Sequence, residues 1–103
     1  MKRIVMAIVV AAAFPAAATD TTPRRAEAAV RETCALCHGP GIGGAPRIGD
    51  NRAWQRRARQ GLDALVRSAD AGKGAMPPRG GVPDLTDAEL RAAIALMSGL
   101  PDR

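Results

Sequence analysis

The short segment Cys34-Ala35-Leu36-Cys37-His38 constrains the fold of this chain more than any other feature. It contains both cysteines and the single histidine of the 103-residue sequence. A disulfide between cysteines three positions apart would close a very small loop and would add little stability. We therefore expect the cysteine pair to serve chemistry rather than to cross-link the fold.

The N-terminus has the layout of a secretory signal peptide. Met1-Lys2-Arg3 is a basic head, Ile4 to Phe14 is an apolar run, and Ala16-Ala17-Ala18 supplies small residues before a cleavage site expected near Thr19. The apolar stretch is shorter than the ~20 residues that a membrane-spanning helix needs. The sequence therefore predicts a signal peptide over residues 1–18 and export to the periplasm. A membrane anchor and an N-terminal core helix are the alternatives.

The predicted mature domain, residues 19–103, has few large apolar residues for a core. Phe14 leaves with the signal peptide, so Trp54 is the domain's only aromatic residue. Domains of this size bury a modest fraction of their surface and usually need disulfides, a metal or a cofactor for stability. We therefore expect a large apolar group to complete this core.

Helix-start signals and apolar spacing predict an all-α fold with three to four short helices and long loops. Thr22-Pro23 is typical of a helix start, with threonine as the N-cap, and predicts a helix over residues 23–37. Asp50 is expected to cap a second helix over residues 51–60. A third short helix is expected to end near Gly72.

Glycine and proline residues predict irregular loops at 39–46 and 72–84. After the second loop, Thr86 and Glu89 have the spacing of a capping box. The helix that this box opens has one apolar face, formed by Leu90, Ala93, Ile94 and Met97. No alternating pattern of useful length predicts a strand.

The spacing of Cys34, Cys37 and His38 matches the attachment motif of haem c. Two thiols on adjacent helical turns can add to the two vinyl groups on one edge of a haem. A histidine directly after the second thiol then reaches the iron from the same side. The sequence therefore predicts one covalent haem c, with His38 as an iron ligand.

Three other interpretations of the cysteine pair are weaker. A thioredoxin-like redox motif needs a βαβ context, which the sequence does not indicate. A zinc site needs four ligands, and His38 is the single histidine beside two cysteines. A chance match is at odds with the export signal, the small core and the helix that ends at the motif.

Met76 is the predicted second axial ligand. It lies in the segment Gly74-Ala75-Met76-Pro77-Pro78, where prolines would stiffen an irregular loop. Histidine and methionine together are a ligand pair of electron-transfer cytochromes. Met97 falls on the apolar face of the last helix, where packing in the core is the simpler role. Lys73 as ligand, and Met76 as ordinary loop packing, are the alternatives.

With these motifs the chain resembles the small class I c-type cytochromes and looks nearest to the bacterial c-five group. The segments that carry the resemblance are CALCHGPGIGGAPRIGD, the isolated Trp54, GAMPPRGG and DLTDAELRAAIALM, which span essentially the whole predicted mature chain. The attachment motif alone is moderately specific, and the methionine loop at this distance and order makes the pattern strongly specific. The resemblance implies a small cytochrome c fold wrapped around one haem.

The resemblance also implies roles for individual residues. Cys34 and Cys37 would form the thioethers, while His38 and Met76 would ligate the iron. The backbone carbonyl of Pro46 would contact the second ring nitrogen of His38 and fix the ring. Trp54 would pack beside the haem with its indole N–H toward a propionate, and plain core packing is its alternative role. The first and last helices would cross, with small alanines allowing a close approach.

One departure from the family concerns the chain after the methionine loop. Some relatives have a second cysteine pair there, where this chain has Val82 and Leu85. The missing bridge predicts a more mobile loop and a less firmly held Met76.

The expected function is single-electron transfer without catalysis, because an iron with two protein ligands has no open position for substrate. Removing Lys2 and Arg3 from the 15 basic and 10 acidic residues lowers the net charge from +5 to about +3. This mild charge suits redox partners with an acidic docking surface, with Arg47, Lys73 and Arg79 as candidate contacts. Scattered arginines and one aromatic residue argue against nucleic acid.

Other functions stay compatible with the sequence. A displaceable methionine would give a haem enzyme or sensor, and the chain could be a cytochrome subunit of a larger oxidase or dehydrogenase. A haem-free thiol oxidoreductase would leave His38 unexplained. Membrane contact is expected only through an uncleaved signal or a membrane-bound redox complex.

Overall fold

The computed structural model describes residues 2–12 and 19–102. Residues 2–12 contain no helix or strand, and their large apolar side chains are more than 80% exposed, from Ile4 at 88% to Val10 at 82%. The predicted cleavage site at Ala16-Ala17-Ala18 lies outside the described residues. Among the described helices, none combines the length and the apolar character needed to cross a membrane.

The first part of the domain is one uninterrupted helical run. It consists of α1 (Thr22–Ala29), a π-helical turn (Val30–Cys34) and α2 (Ala35–His38). The run confirms the predicted first helix and ends at His38, one residue later than expected. No residue pattern in the sequence indicated the π-helical turn.

The N-terminus of this run differs from the prediction in its cap. Thr21 occupies the N-cap position without a capping side-chain hydrogen bond, and Thr22 is already helical. The backbone N–H of Thr22 instead donates to Asp20 Oδ1 at 2.9 Å. The prediction of Thr22 as N-cap was therefore wrong, because the helix begins one residue earlier and already includes Thr22.

Three further helices complete the fold: α3 (Asn51–Ala58), α4 (Gly61–Ala71) and α5 (Asp87–Ser98). Two 3₁₀ turns, Ile42–Gly44 and Pro78–Gly81, lie in the loops between them. The described residues contain no β-strand, which confirms the all-α prediction.

Side-chain caps fix the starts of α3 and α5 as predicted. Asp50 Oδ1 accepts a hydrogen bond from the backbone N–H of Ala53 at 3.2 Å. Thr86 Oγ1 accepts from the N–H of Glu89 at 3.1 Å, and Glu89 Oε1 accepts from the N–H of Thr86 at 2.8 Å. Helix α3 ends at Ala58, two residues earlier than predicted, because the chain turns there and α4 begins at Gly61.

The core lies where α1 and α4 pack against α5. Ala26 of α1 and Ala93 of α5 are almost fully buried, so small side chains let these two helices approach closely, as predicted. The predicted apolar face of α5 is buried along its length, at Leu90, Ala93, Ile94 and Met97. Met97 is therefore a core residue, which confirms its simpler role.

Candidate functional site

The His38 ring at the end of α2 is held from two sides. Its Nδ1 lies 2.8 Å from the backbone carbonyl oxygen of Pro46. Trp54 of α3 stacks on the ring, with centroids 5.7 Å apart and planes 20° from parallel. A carbonyl oxygen only accepts hydrogen bonds, so Nδ1 is the donor, and in the neutral ring Nε2 then has the free lone pair. His38 is therefore oriented as a metal ligand would need to be, with the Pro46 contact that the resemblance implies.

The loop after the motif is folded back onto His38 by backbone hydrogen bonds. The N–H of Ile48 donates to the His38 carbonyl at 2.8 Å. Arg47 Nε donates to the Pro40 carbonyl at 3.1 Å, and the indole N–H of Trp54 donates to the Arg47 carbonyl at 2.8 Å. The predicted bond from this indole to a propionate was wrong, because the protein backbone already accepts that proton. A contact between Trp54 and a haem stays a prediction.

The two cysteines of the motif are free thiols. Cys34 ends the π-helical turn and packs against the core, whereas Cys37 is exposed in α2. Burial raises the pKa of the Cys34 thiol, so this sulfur is mostly protonated near neutral pH. π-Helical turns are frequent at functional sites, and this one sets the position of the first cysteine.

Met76 lies in a tight turn closed by two backbone hydrogen bonds. The N–H of Lys73 donates to the Met76 carbonyl at 3.0 Å, and the N–H of Met76 donates to the Lys73 carbonyl at 2.9 Å. Gly72 has a φ of +83°, and a Cβ there would lie 2.9 Å from both the Met76 carbonyl oxygen and the Pro78 nitrogen. Only glycine fits this position, so the backbone around Met76 is closely determined.

The Met76 loop and the cysteine motif meet in space. Ala75 Cβ lies 3.1 Å from the position that a Cβ on Gly43 would take. The 3₁₀ turn at Pro78–Gly81 contacts the π-helical turn that ends at Cys34. Met76 and Cys34 also pack against the same core. The structure thus brings together two regions that are far apart in the sequence.

The residues around the motif fit a haem better than a zinc ion. Leu36, Ile42 and Ile48 leave 66%, 58% and 40% of their surface exposed around the motif, which suits contact with a large apolar group. Two free thiols and the Nε2 of His38 supply the attachment and ligand chemistry. In the described part of the chain, no three His, Cys, Asp or Glu side chains gather as a metal site, so zinc finds no support.

Arg79 is a functional candidate whose role the sequence did not reveal. Its side chain is only 16% exposed, and its Nη1 lies 2.6 Å from Asp70 Oδ1 and 3.2 Å from Asp87 Oδ1. Its Nη2 donates to the Leu85 carbonyl. The prediction of Arg79 as a docking contact was therefore wrong, because its guanidinium is turned inward and paired. Arg47 and Lys73 are exposed.

Comparison with known proteins gives a consistent family. Residues 21–97 match the family model described as "Cytochrome C oxidase, cbb3-type, subunit III". The chain is 46% identical over 87 residues to cytochrome c5 from Ectopseudomonas mendocina, which covers 82% of this chain and all of the relative.

Two solved structures share the fold. The first is a cytochrome c in an electron-transfer complex with nitrite reductase. It has 45% identity and a TM-score of 0.68, and the match covers 74% of this chain and 93% of that one. The second is a mono-haem ferrocytochrome c from Shewanella putrefaciens, with 42% identity, a TM-score of 0.66, and coverage of 71% and 90%.

The family description names an oxidase subunit, but the match with cytochrome c5 from Ectopseudomonas mendocina covers the whole of that small protein. The enzyme, sensor and oxidase-subunit alternatives are therefore not favoured. The chain belongs to the small c-type cytochromes of the c5 type, and it is an electron carrier, not an enzyme, that exchanges single electrons with redox protein partners on one covalently bound haem c.

Proposed function

We propose that Cys34 and Cys37 bind the haem through two thioether bonds, and that His38 Nε2 and Met76 Sδ are the iron ligands. The observation that carries this proposal is the contact of 2.8 Å between His38 Nδ1 and the Pro46 carbonyl. Metal-bound histidines nearly always donate their second ring N–H to such an acceptor. This contact leaves one ring nitrogen free on His38, the residue that directly follows Cys37 in the sequence.

Each residue of the site has a separate task. The Pro46 carbonyl accepts a hydrogen bond from Nδ1–H, which makes Nε2 a stronger electron donor. The stacked Trp54 limits rotation of the His38 ring. Met76 would supply a thioether sulfur as the second protein ligand, and such a ligand favours the reduced state of the iron. The bound haem supplies the reversible one-electron change, and the chain holds its ligands in place.

Absorption spectra of the oxidised and reduced protein test the ligand assignment. The protein is produced in a host that matures haem c, and acid–acetone extraction checks covalent attachment. We expect low-spin bands and the weak far-red band that reports methionine sulfur on ferric haem. Met76→Leu should remove that band, whereas the matched Met97→Leu in the core should retain it. Retention of the band in Met76→Leu would rule out this ligand.

We propose that residues 1–18 are a signal peptide and that the domain from residue 19 works in the periplasm. The exposed, unfolded apolar run in residues 4–10 is unlike the packed helices that follow, which supports a targeting role. The family match also begins only at residue 21. Mass spectrometry of the exported holoprotein should give an N-terminus near Thr19. A retained N-terminus together with membrane association would favour an uncleaved membrane anchor instead.

We propose that the redox partners present an acidic surface to helix α3. Arg52, Arg56 and Arg59 recur at helical spacing, are exposed, and line a surface depression of about 460 Å³ with Gln55. The salt bridges formed within residues 19–102 do not involve these three arginines. Helix α3 has no acidic residue to offset them. A cationic surface of this kind steers acidic partners toward itself.

The rate of electron exchange with an acidic redox protein, measured against ionic strength, tests this surface. The rate should fall as salt rises, because screening weakens the attraction. The double variant Arg52→Gln/Arg56→Gln should slow exchange at low salt and flatten the salt dependence. Arg24→Gln/Arg67→Gln removes two exposed charges elsewhere and serves as control. If the two double variants slow exchange equally, net charge and not the α3 surface controls the rate, and the proposal fails.

A further inference from the structure

Arg79 joins three parts of the chain beside the Met76 loop. Its guanidinium contacts Asp70 in α4, the Leu85 carbonyl in the connector before α5, and Asp87 in the first turn of α5. The Met76 methyl carbon lies 3.6 Å from the position of a Cβ on Gly80, the residue that follows Arg79. The arginine contacts therefore fix the chain directly next to the methionine side chain. We call Arg79, Asp70, Leu85 and Asp87 the Arg79 cluster.

The backbone at Arg79 has an unfavourable conformation, which its surroundings must hold in place. Its φ of +55° is positive, a conformation that otherwise falls on glycines among the described residues. A non-glycine residue adopts it only when the surroundings hold it there. The Nε of Arg79 is also buried without an acceptor. The contacts of its two terminal nitrogens oppose these two penalties.

No intramolecular disulfide can restrain this part of the chain, because both cysteines of the sequence, Cys34 and Cys37, lie in the attachment motif. The hydrogen bond to Asp70, and then the one to Asp87, raise the pKa of Arg79, so the guanidinium stays charged over the whole accessible pH range. Charge-assisted hydrogen bonds from the planar guanidinium are stronger than neutral ones and restrict the geometry of the groups that they join.

We propose that Arg79 is a positioning residue that keeps Met76 on the iron, and that the Arg79 cluster restrains this loop in place of a covalent cross-link. The inference rests on the proposed ligation by Met76. Without the cluster the loop samples open states in which the sulfur leaves the iron. An external ligand then binds more tightly, because its apparent affinity scales with the open fraction.

Imidazole binding to the ferric holoprotein measures that open fraction. Arg79→Gly removes the guanidinium but suits the positive φ, so the turn itself is not strained. We expect this variant to bind imidazole roughly tenfold more tightly, in proportion to a tenfold larger open fraction. The far-red sulfur-to-iron band should weaken in parallel. Arg79→Lys keeps the positive charge but lacks the two terminal nitrogens of the guanidinium. Its imidazole affinity should lie between those of the wild type and Arg79→Gly.

Two comparisons separate the proposal from a general loss of stability. Arg31→Gln removes an exposed, weakly paired arginine and should leave imidazole affinity unchanged. Asp87→Asn removes the negative charge of a 95% exposed side chain and should increase affinity less than Arg79→Gly does. The imidazole titrations and the measurements of the sulfur-to-iron band use folded holoprotein well below its unfolding temperature.

The outcomes distinguish this inference from the function on which it rests. If the wild type lacks the sulfur-to-iron band, the ligation by Met76 fails first. If the wild type shows the band and Arg79→Gly retains the wild-type imidazole affinity, the ligation stands and the positioning role is overturned. If Arg31→Gln changes affinity as much as Arg79→Gly, the effect belongs to net charge and the positioning role is again overturned.

Discussion

Trp54 stacks on the His38 ring and at the same time donates its indole N–H to the backbone carbonyl of Arg47. One side chain therefore links helix α3, the loop after the motif and the candidate iron ligand. Trp54 is 5% exposed and is the domain's only aromatic residue, so no other side chain offers a comparable surface.

Trp54→Ala should lower the free energy of unfolding by about 3–5 kcal/mol, as expected for removal of a large buried aromatic side chain. Trp54→Phe keeps a ring against His38 but leaves the Arg47 carbonyl without its donor, and should cost about 1–3 kcal/mol. Guanidinium unfolding of the holoprotein measures both. Equal losses in the two variants would show that the hydrogen bond, not the packing, is the main contribution.

Pro46→Ala should raise the reduction potential and lower stability slightly. The alanine keeps the carbonyl that accepts from His38 Nδ1 but leaves it less rigidly placed, so the imidazole donates less to the iron and the oxidised state is less favoured. Loss of the proline restraint on the unfolded chain should cost about 0.4–1 kcal/mol. Voltammetry and denaturant unfolding provide the two readings. Pro83→Ala, in the connector before α5, is the control and should leave the potential unchanged.

Gly72→Ala should disturb the Met76 loop more than a strained backbone alone would. An added Cβ meets two backbone atoms at 2.9 Å, which are not free to move aside. Gly61→Ala is a matched control, because Gly61 has a φ of +82° and open space around the added carbon. Gly61→Ala should cost about 1 kcal/mol from backbone strain. Gly72→Ala should cost more and weaken the sulfur-to-iron band. Equal costs and unchanged bands would refute the close fit at Gly72.

Thr86→Ala should lower stability by about 1 kcal/mol through loss of the capping box at α5. Thr22→Ala, at the start of α1, should change stability little, because Asp20 already accepts from this amide. Thermal unfolding of the two variants under identical conditions makes the comparison. A larger loss in Thr22→Ala would contradict the assignment of the caps.

Local signals predicted the helices well because their causes are local. The capping box at Thr86 and the cap at Asp50 depend on residues three positions apart, and both are present as predicted. The apolar face of α5 follows from its spacing alone. The Thr22 cap was wrongly predicted because the helix begins one residue earlier than expected, so Thr22 is already helical and Asp20 accepts from its N–H.

The candidate site was only partly predictable, because some of its contacts are long-range. The His38–Pro46 contact came from resemblance to a family, and the structure contains it. The Trp54 donor could not be assigned from sequence, because several acceptors were possible and only the folded loop selects the Arg47 carbonyl. The ion pairs of Arg79 join residues up to nine positions apart across a turn with positive φ, which no spacing rule describes.

The π-helical turn at Val30–Cys34 determines how far the cysteine motif is rotated about the helix axis relative to the packed face of α1. Each helical residue advances the side-chain direction by about 100°. The wider turn therefore changes the direction of the cysteine motif relative to the alanine face that packs on α5, compared with an unbroken α-helix. Deleting one residue there would leave both halves helical but would turn the motif by about a quarter of a revolution relative to the core. This part of the chain consequently tolerates changes of residue type far better than changes of length.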